Sequence, residues 1–201
     1  MKLEMSRTSR PFSPATLARS AMALAVAGGL AGGSANAAAT LVALDRLWGL
    51  ELGDQDLLRV AAELGSDVPF ALLGGTARGT GRGEVLQRID DKATWWWVLV
   101  TSPEGLSTPA VYRRFDDLFP TAPTRPTSGD DVERAVRSGD PVRLARVLHN
   151  DLEPAAFDLR PGLSALVARG EAAGALRGMV SGSGPTCAFL CADADAARAV
   201  C

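Results

Sequence analysis

The sequence predicts an α+β fold in two layers. Apolar residues recur at helical spacing in several segments, and short strand-like runs lie between glycine-rich turns. The two kinds of segment are intermixed without the regular strand–helix alternation of a doubly wound sheet. At 201 residues and 47% hydrophobic content, the chain is long enough for one domain, or one and a half, with a packed core.

Charge and cysteine content narrow the class of protein. The chain has 21 basic and 23 acidic residues without a long run of either sign, which gives no indication of binding to nucleic acid or to a membrane surface. No segment reaches the length of about 20 apolar residues that a transmembrane helix needs. The three cysteines lack the spacing of a disulfide framework or a zinc site. We therefore expect a cytoplasmic protein that acts on a small molecule, and the oligomeric state stays open.

The N-terminus supports two interpretations. Residues 1–20 are polar and basic, and we expect them to be disordered or non-native. The apolar run that follows, with the tripeptide at positions 35–37, is also typical of a secretory signal and its cleavage site. Four glycines between positions 28 and 33 interrupt that run and weigh against export. A secreted, non-enzymatic globular protein is therefore the alternative to an intracellular one.

Two helices are predicted in the N-terminal half. The first begins at Ser34, whose hydroxyl is a typical N-cap, and continues through SANAAATLVALDRLW. The second covers about Gln55 to Leu64, with Asp54 as its N-cap and Gly65 just beyond its end. The next segment, VPFALLGGTARGTGRGEVLQRI, alternates short apolar runs with glycines and is predicted to form hairpin strands.

The C-terminal half is predicted to mix helices and strands. The aromatic run Trp95 to Val100 is a predicted strand, and at least one of its tryptophans should face the core. LRGMVSGSGPTCAFLCA is predicted to be two strands joined by a glycine turn, followed by a helix from Ala194 to Val200. Helical patterns also occur at Thr108 to Leu118, Asp131 to Ser138, Pro141 to His149 and Pro161 to Gly170.

The segment AVAGGLAGGSANAAAT is the most informative for function. Its glycines allow the backbone to approach a ligand, and the helix that follows adds unpaired N–H groups and partial positive charge. Such a combination is typical of phosphate binding. The segment has neither the GK[ST] of a Walker loop nor the βαβ context of a dinucleotide-binding motif. Close helix packing by small residues is the structural alternative.

Two further features add to this segment. Asp67, in GSDVPF, is predicted to hold its carboxylate at the junction of a helix and a strand, where it can accept a proton from a substrate hydroxyl. An isolated aspartate in this setting is more often a turn or cap residue. The segment SGSGPT, Ser181 to Thr186, can offer backbone N–H groups to an anion, although a plain hairpin turn is commoner.

The order of these motifs resembles that of the GHMP kinases. GGLAGGSANAAAT, GSDVPFALLGGTARGTGRGE, NDLEPAA and SGSGPT follow one another from about Ala25 to the C-terminus. The chain is most similar to members that act in non-mevalonate isoprenoid biosynthesis. The resemblance implies transfer of the γ-phosphate of ATP to the 2-hydroxyl of their diphosphocytidyl substrate. Within the family, homoserine or a mevalonate derivative is the alternative substrate.

The resemblance also assigns roles to residues of this chain. It implies that Asp67 is the catalytic carboxylate, that Ser34 contributes to Mg²⁺ or phosphate binding, and that the turn Ser181 to Thr186 closes the site. The implied cofactors are ATP and Mg²⁺. The residues implied to lie on the ATP phosphates are Ala25, Val26, Ala27, Gly28, Gly29, Leu30, Ala31, Gly32, Gly33, Ser34 and Ala35. The implied substrate or phosphate loop consists of Ser181, Gly182, Ser183 and Gly184.

Other residues receive structural interpretations. The glycines at 74, 75, 79, 81 and 83 resemble the family's strand turns beneath the substrate, and Asn150 to Glu153 resembles a helix junction without a catalytic role. His149 is interpreted as an ordinary helix residue. Arg78 and Arg82 are interpreted as solvated loop charges within reach of a phosphate.

The resemblance predicts the domain organisation as well. Residues 21–104 would be part of the ATP-binding domain, a ribosomal S5-like remnant, and residues 105–201 would be the ferredoxin-like C-terminal domain. The family's lysine-bearing segment, AxAKxNLxL, has no counterpart here, since Lys2 and Lys92 are the only lysines. We therefore expect the N-terminal strands of the fold to be missing and activity to be impaired by the truncation, with nucleotide binding alone as an alternative.

Overall fold

The computed structural model describes residues 31–91, 93–122 and 129–201. They divide into two compact units, Gly32–Gln87 and Arg88–Cys201. The predicted domain boundary after residue 104 lies later in the chain than this division. Among the described residues, no helix is both long and apolar enough to cross a membrane.

The first unit packs three helices around a small apolar core and ends in a two-stranded hairpin. Alanines on the first helix keep its buried face narrow, so the two later helices approach it closely. The buried residues of this core are Ala37, Ala38, Leu41, Val60, Ala61 and Val68. The elements are α1 (Gly32–Trp48), α2 (Asp54–Leu64), α3 (Val68–Leu73), β1 (Ala77–Thr80) and β2 (Val85–Arg88).

The starts of α1 and α2 correct the sequence predictions slightly. Helix α1 begins at Gly32, so Ser34 lies in the first helical turn and is not the N-cap. The backbone leaves the right-handed region just before, at Ala31, whose φ is 51°, and this places the helix start earlier than the hydroxyl suggests. Helix α2 begins at Asp54 itself, and Gly53 occupies the N-cap.

The segment VPFALL is a helix, so the prediction of a strand there was wrong. Pro69 lies in the first turn of α3, where its missing N–H costs no hydrogen bond and its fixed φ favours a helix. Gly74, with φ at 64°, ends the helix after six residues. Apolar runs this short fit either structure by periodicity alone. The hairpin was predicted correctly, but it forms only from the later part of the segment, as β1 and β2.

The second unit contains a three-stranded antiparallel sheet. Its order is β3-β5-β4, and Val98 of β3 and Gly178 of β4 both register with Phe189 on the central strand. The strands are β3 (Trp96–Val100), β4 (Arg177–Val180) and β5 (Cys187–Cys191). The helices are α4 (Thr108–Leu118), α5 (Asp130–Ser138), α6 (Pro141–Val147), α7 (Glu153–Leu159), α8 (Gly162–Ala172) and α9 (Ala194–Val200).

Most predicted elements of this unit are confirmed. Helices α4 and α9 have the predicted bounds, and the two C-terminal strands are joined by the predicted glycine turn. Helix α6 ends at Val147, so His149 lies beyond it. Helix α7 had not been predicted. Its seven residues follow a loop, and its apolar pattern is too short to be distinctive.

The tryptophan segment is mostly exposed. Trp95 precedes β3 and packs, half-buried, against a cluster that includes Leu190, and its Nε1–H donates to the Asp91 carboxylate at 2.8 and 3.0 Å. Trp96 and Trp97 are 41% and 37% exposed. The predicted inward-facing tryptophan is therefore Trp95, just before the strand.

Two glycines form a slot for the side chain of Phe189, which is 1% exposed. A Cβ added at Gly178 would lie 2.7 Å from Cε1 and 2.8 Å from Cδ1 of the ring. A Cβ added at Gly170, on α8, would overlap the same ring edge. Residues with any side chain are therefore excluded where α8 and β4 meet the ring. We call this arrangement the Phe189 slot.

Carboxylates cover the outer edge of β4. The N–H of Gly178 donates to Glu171 Oε1 at 2.9 Å, and the N–H of Val180 donates to Glu153 Oε2 at 3.0 Å. The Arg177 guanidinium lies 3.5 Å from Glu171 and 4.0 Å from Glu153 and compensates their charge. The outward N–H groups of this edge strand are thus satisfied within the unit.

Candidate functional site

The start of α1 is the described part of the predicted phosphate segment. Residues 31–35 belong to it, whereas Ala25–Leu30 lie outside the described residues. Gly32 and Ala35 are exposed, and a Cβ added at Gly32 would meet no atom within 4 Å. The first turn of this 17-residue helix has N–H groups without intrahelical acceptors and the partial positive charge of the helix N-terminus.

Asp67 lies between two helices, which corrects the predicted helix–strand junction. It occupies the N-cap of α3, where its carbonyl oxygen accepts a hydrogen bond from the N–H of Ala71 at 3.2 Å. Its side chain is exposed and makes no capping hydrogen bond. Among the described residues no cation pairs with it. The carboxylate is therefore available to a ligand, and Val68 beside it anchors the turn in the same core as α1.

The β1–β2 hairpin turn lies beside Ser66, the residue before Asp67. A Cβ added at Gly83 would be 3.8 Å from Ser66 Cβ, and one at Gly79 would be 3.0 Å from the Gly83 carbonyl oxygen. Glycine at 79 thus permits close approach of the two strands.

Arg82 extends from this turn into solvent. Its backbone N–H donates to Glu84 Oε2 at 2.7 Å, and its side chain is 77% exposed. Backbone hydrogen bonds, first from Glu84 itself and then from Arg82, lower the pKa of the Glu84 carboxyl. Arg78 is half-buried, so only Arg82 matches the interpretation as a solvated loop charge.

The second glycine turn, Ser181 to Thr186, is closed by its own backbone. The N–H of Ser181 donates to the Thr186 carbonyl at 2.8 Å, and the N–H of Gly184 donates to the Ser181 carbonyl at 2.9 Å. Gly182 and Gly184 have φ of 57° and 78°, and a Cβ at Gly184 would lie 2.9 Å from Val180 Cγ1. Both backbone conformation and space therefore require glycine at 184.

Side chains distant in sequence hold this turn, and sequence reasoning missed their contribution. Asn150 Nδ2 donates to the carbonyls of Val180 and Gly182, and the hydroxyls of Thr108 and Ser183 lie 2.8 Å apart. The NDLE segment was interpreted only as a helix junction. Its place in the order of family motifs was the one signal of an association with the turn, because a separation of 30 residues hides the contact.

The structure groups the predicted residues by unit. The start of α1, Asp67 and the hairpin lie in the first unit, and the turn at 181–186 lies in the second. His149 is exposed, and its Nε2 is 3.8 Å from Asp151. Over the described ranges, no cluster of three or more His, Cys, Asp or Glu side chains is arranged to hold a metal ion.

Comparison with protein families gives the classification. The model described as "GHMP kinases N terminal domain" matches residues 12–75, and the model "GHMP kinases C terminal" matches residues 132–201. Together they cover about two thirds of the chain, in the order the motifs predict. The chain belongs to the GHMP kinase family. Its predicted resemblance and its α+β class are thereby confirmed.

Curated relatives within the family share one name. A protein of Nocardioides sp., 4-diphosphocytidyl-2-C-methyl-D-erythritol kinase, is 66% identical over 180 residues, covering 90% of this chain and 61% of the relative. The protein of that name from Rhodococcus jostii is 56% identical over 173 residues, covering 86% of this chain and 56% of the relative. The chain thus spans little more than half the length of these GHMP kinases.

Solved structures agree on the fold. A crystal structure of 4-(cytidine 5'-diphospho)-2C-methyl-D-erythritol kinase superposes with a TM-score of 0.70 at 29% identity, covering 94% of this chain and 74% of that one. Homoserine kinase from Cytophaga hutchinsonii gives a TM-score of 0.72 at 20% identity, covering 89% and 61%. The second similarity concerns the fold alone, because its sequence identity is low.

Proposed function

We propose that this chain serves ATP-dependent phosphorylation of the 2-hydroxyl of 4-diphosphocytidyl-2-C-methyl-D-erythritol, in non-mevalonate isoprenoid biosynthesis. The names of the relatives at 66% and 56% identity support the substrate. One structural observation supports the chemistry. The Asp67 carboxylate is exposed and makes no capping hydrogen bond to its helix, and it lies in the unit that contains the start of α1. We further propose that the reaction takes place in the cytoplasm, on a small-molecule acceptor.

The phosphates of ATP would be held by the segment that leads into α1. Backbone N–H groups in the first turn, without intrahelical acceptors, donate to phosphate oxygens, and the helix N-terminus favours their negative charge. The glycines at 32 and 33 let the phosphates approach the backbone. Ser34, half-buried in the first turn, can add its hydroxyl.

Asp67 would act on the acceptor hydroxyl. Its carboxylate accepts a hydrogen bond from the hydroxyl and takes its proton as the new oxygen–phosphorus bond forms. The bond between the γ-phosphorus and the bridging oxygen breaks at the same time, and ADP leaves with that oxygen. Positioning and charge stabilisation supply most of the rate enhancement in such transfers.

The residues present fit a Mg²⁺ ion of the kind that accompanies nucleotides. This ion usually takes one or two protein ligands and completes its shell with phosphate oxygens and water. Ser34 and Asp67 would supply one hydroxyl and one carboxylate, so an all-protein cluster is not needed. When bound, the ion would neutralise charge on the phosphates.

The Asp67→Asn variant tests this proposal. A purified chain is assayed for ADP release with the diphosphocytidyl substrate, homoserine and mevalonate. We expect the first substrate alone to give turnover, at the impaired rate that the sequence predicts, and the variant to lower kcat by a further factor of about 10² or more while ATP affinity changes little.

Asp54→Asn is the matched control, because it removes another exposed carboxylate of the same unit. It should keep wild-type kcat. Wild-type turnover by the Asp67 variant would exclude the assigned role, and turnover with homoserine alone would change the substrate.

The secreted alternative has a separate test. Cleavage after Ala37 would remove the first turns of α1, including a residue that is 7% exposed in the core. N-terminal mass spectrometry of the protein from its native host should therefore find no chain beginning at Ala38. A chain beginning there would exclude the kinase proposal.

A further inference from the structure

The sheet of the second unit has two edges that differ. At β4 the N–H groups of Gly178 and Val180 are bonded to the carboxylates of Glu171 and Glu153. At β3 the described part of the chain supplies one backbone partner, the central strand β5. The outer edge of β3 therefore offers backbone donors and acceptors to a further strand.

The hydrogen bonds of β4 show which groups of the central strand face β3. In an antiparallel pair, successive residues turn their backbone groups to opposite sides. The N–H groups of Gly178 and Val180 point away from β5, so the N–H between them, at Met179, points toward it. Met179 registers with Ala188, which therefore bonds to β4. The next residue of β5, Phe189, then turns its N–H and carbonyl toward β3.

Two residues of β3 present their backbone to the outer edge as a result. Phe189 registers with Val98, so the N–H and carbonyl of Val98 face the central strand. By the same alternation, the N–H and carbonyl groups of Trp97 and Leu99 point outward. The side chains of these two residues are 37% and 50% exposed, so the edge is apolar as well.

The sequence of β3 lacks the usual protection of an edge strand. Natural edges are often blunted by charged side chains, by proline or by a bulge. Between Ala93 and Ser102 the sequence contains no charged residue and no proline. The register of β3 with β5 runs without a bulge from Trp96 to Val100. An uncharged strand can pair with a second copy of itself without opposing like charges.

We propose that β3 is a homodimer interface, in which the strands of two copies pair antiparallel about a two-fold axis at Val98. In this register Trp97 of each copy faces Leu99 of the other, and the two residues exchange both of their backbone hydrogen bonds. The exposed indole and leucine side chains cover one another. This inference does not depend on the proposed function.

A second copy fits this edge because the pairing is self-complementary. Every opposed pair is apolar, since Val98 faces its own counterpart and Trp96 faces Val100 of the other copy. Pairs of aromatic with aliphatic or β-branched residues stabilise neighbouring strands. The carboxylates at β4 block the opposite edge, so the assembly closes at two copies and does not grow into a fibre.

Disulfide cross-linking tests the register. Val98→Cys is made in a Cys201→Ser background, which removes the exposed thiol. In the proposed register the two Cα atoms at position 98 lie about 4.5 Å apart, as in other non-hydrogen-bonded pairs, and this distance permits a disulfide. We expect oxidation of the folded chain with copper phenanthroline to give a covalent dimer.

Val85→Cys in the same background is the matched control, because Val85 is an exposed valine on another strand, β2. It should cross-link at least about tenfold more slowly, since no pairing holds two copies of that position together. Equal rates for the two variants, or a faster reaction at position 85, would overturn the proposal.

Sedimentation of the whole chain tests the interface without oxidation. The wild-type chain should sediment at twice the 20.9 kDa of one copy. Leu99→Glu should raise the dissociation constant at least about tenfold, because the charge faces Trp97 of the other copy. Adding Trp97→Lys to that variant should lower the dissociation constant again, since lysine then faces glutamate.

Three results of the sedimentation experiment would overturn the proposal. The first is a wild-type chain that stays monomeric at about 0.1 mM. The second is a double variant that dimerises no better than Leu99→Glu, because the two positions would then not face each other. The third is a wild-type chain that sediments with a different protein of its host and is released from it by Leu99→Glu, which would assign the edge to another partner.

Discussion

Replacing Gly170 with alanine tests the Phe189 slot. Alanine in a helix interior normally stabilises by about 1 kcal/mol relative to glycine. Here the new Cβ would overlap the ring of Phe189 and lie 2.8 Å from its Cζ. Gly178 packs against the same ring edge, and the ring is only 1% exposed, so it has little room to move away. Overpacking of this kind costs about 1–3 kcal/mol, and the severe overlap places the cost at the upper end.

We therefore expect a net loss of about 1–2 kcal/mol in the free energy of unfolding, with a lower urea midpoint and an unchanged m-value. Gly162→Ala is the matched control on the same helix, because a Cβ there meets no atom within 4 Å. It should be neutral or slightly stabilising. Phe189→Leu should cost less in the Gly170→Ala background than in wild type. A Gly170→Ala chain as stable as wild type would refute the slot as a rigid constraint.

Three further predictions concern the second unit. Iodoacetamide should modify exposed Cys201 in the folded chain but reach Cys187 and Cys191 only after unfolding, as mass spectrometry would show; early labelling of either buried thiol would contradict this. Burial, and then the Glu153 carboxylate, raises the pKa of the Cys187 thiol. The thiol of the unfolded chain therefore ionises at a lower pH than that of the folded chain. Urea titrations should show that the free energy of unfolding falls as pH rises above the ordinary thiol pKa. Leu99 on the edge strand β3 is 50% exposed, and we expect this strand to pair with that of a second copy. Leu99→Lys should therefore reduce the light scattering that self-association causes, at an unchanged melting temperature. Increased scattering would contradict pairing through this edge.

Much of the fold followed from local patterns. The C-terminal hairpin, α4 and α9 were predictable because alternation, caps and glycine turns agree there. The segment VPFALL was not, because six apolar residues give no period and its helix depends on burying Val68 and Pro69 against α1 and α2. Helix α7 was not predicted for a related reason, because its stability comes from two buried alanines packed in the core of the second unit.

The candidate site likewise has parts that the sequence predicts and contacts that it does not. Glycine-rich segments and a lone carboxylate have local signatures, so the start of α1, Asp67 and the turn at 181–186 were named from sequence, and their catalytic and binding roles stay predictions. The contacts of Asn150 and Thr108 with the turn depend on tertiary packing across 30 and 75 residues. Such contacts leave no local pattern.

The carboxylates along β4 block one edge of the second unit's sheet. An incoming strand needs free backbone donors, and at β4 the N–H groups of Gly178 and Val180 are already bonded to Glu171 and Glu153. The described residues place no comparable side-chain acceptors on the outer edge of β3. The edge at β4 is therefore closed to a further strand, and the glycine turn that follows β4 lies beside this closed edge.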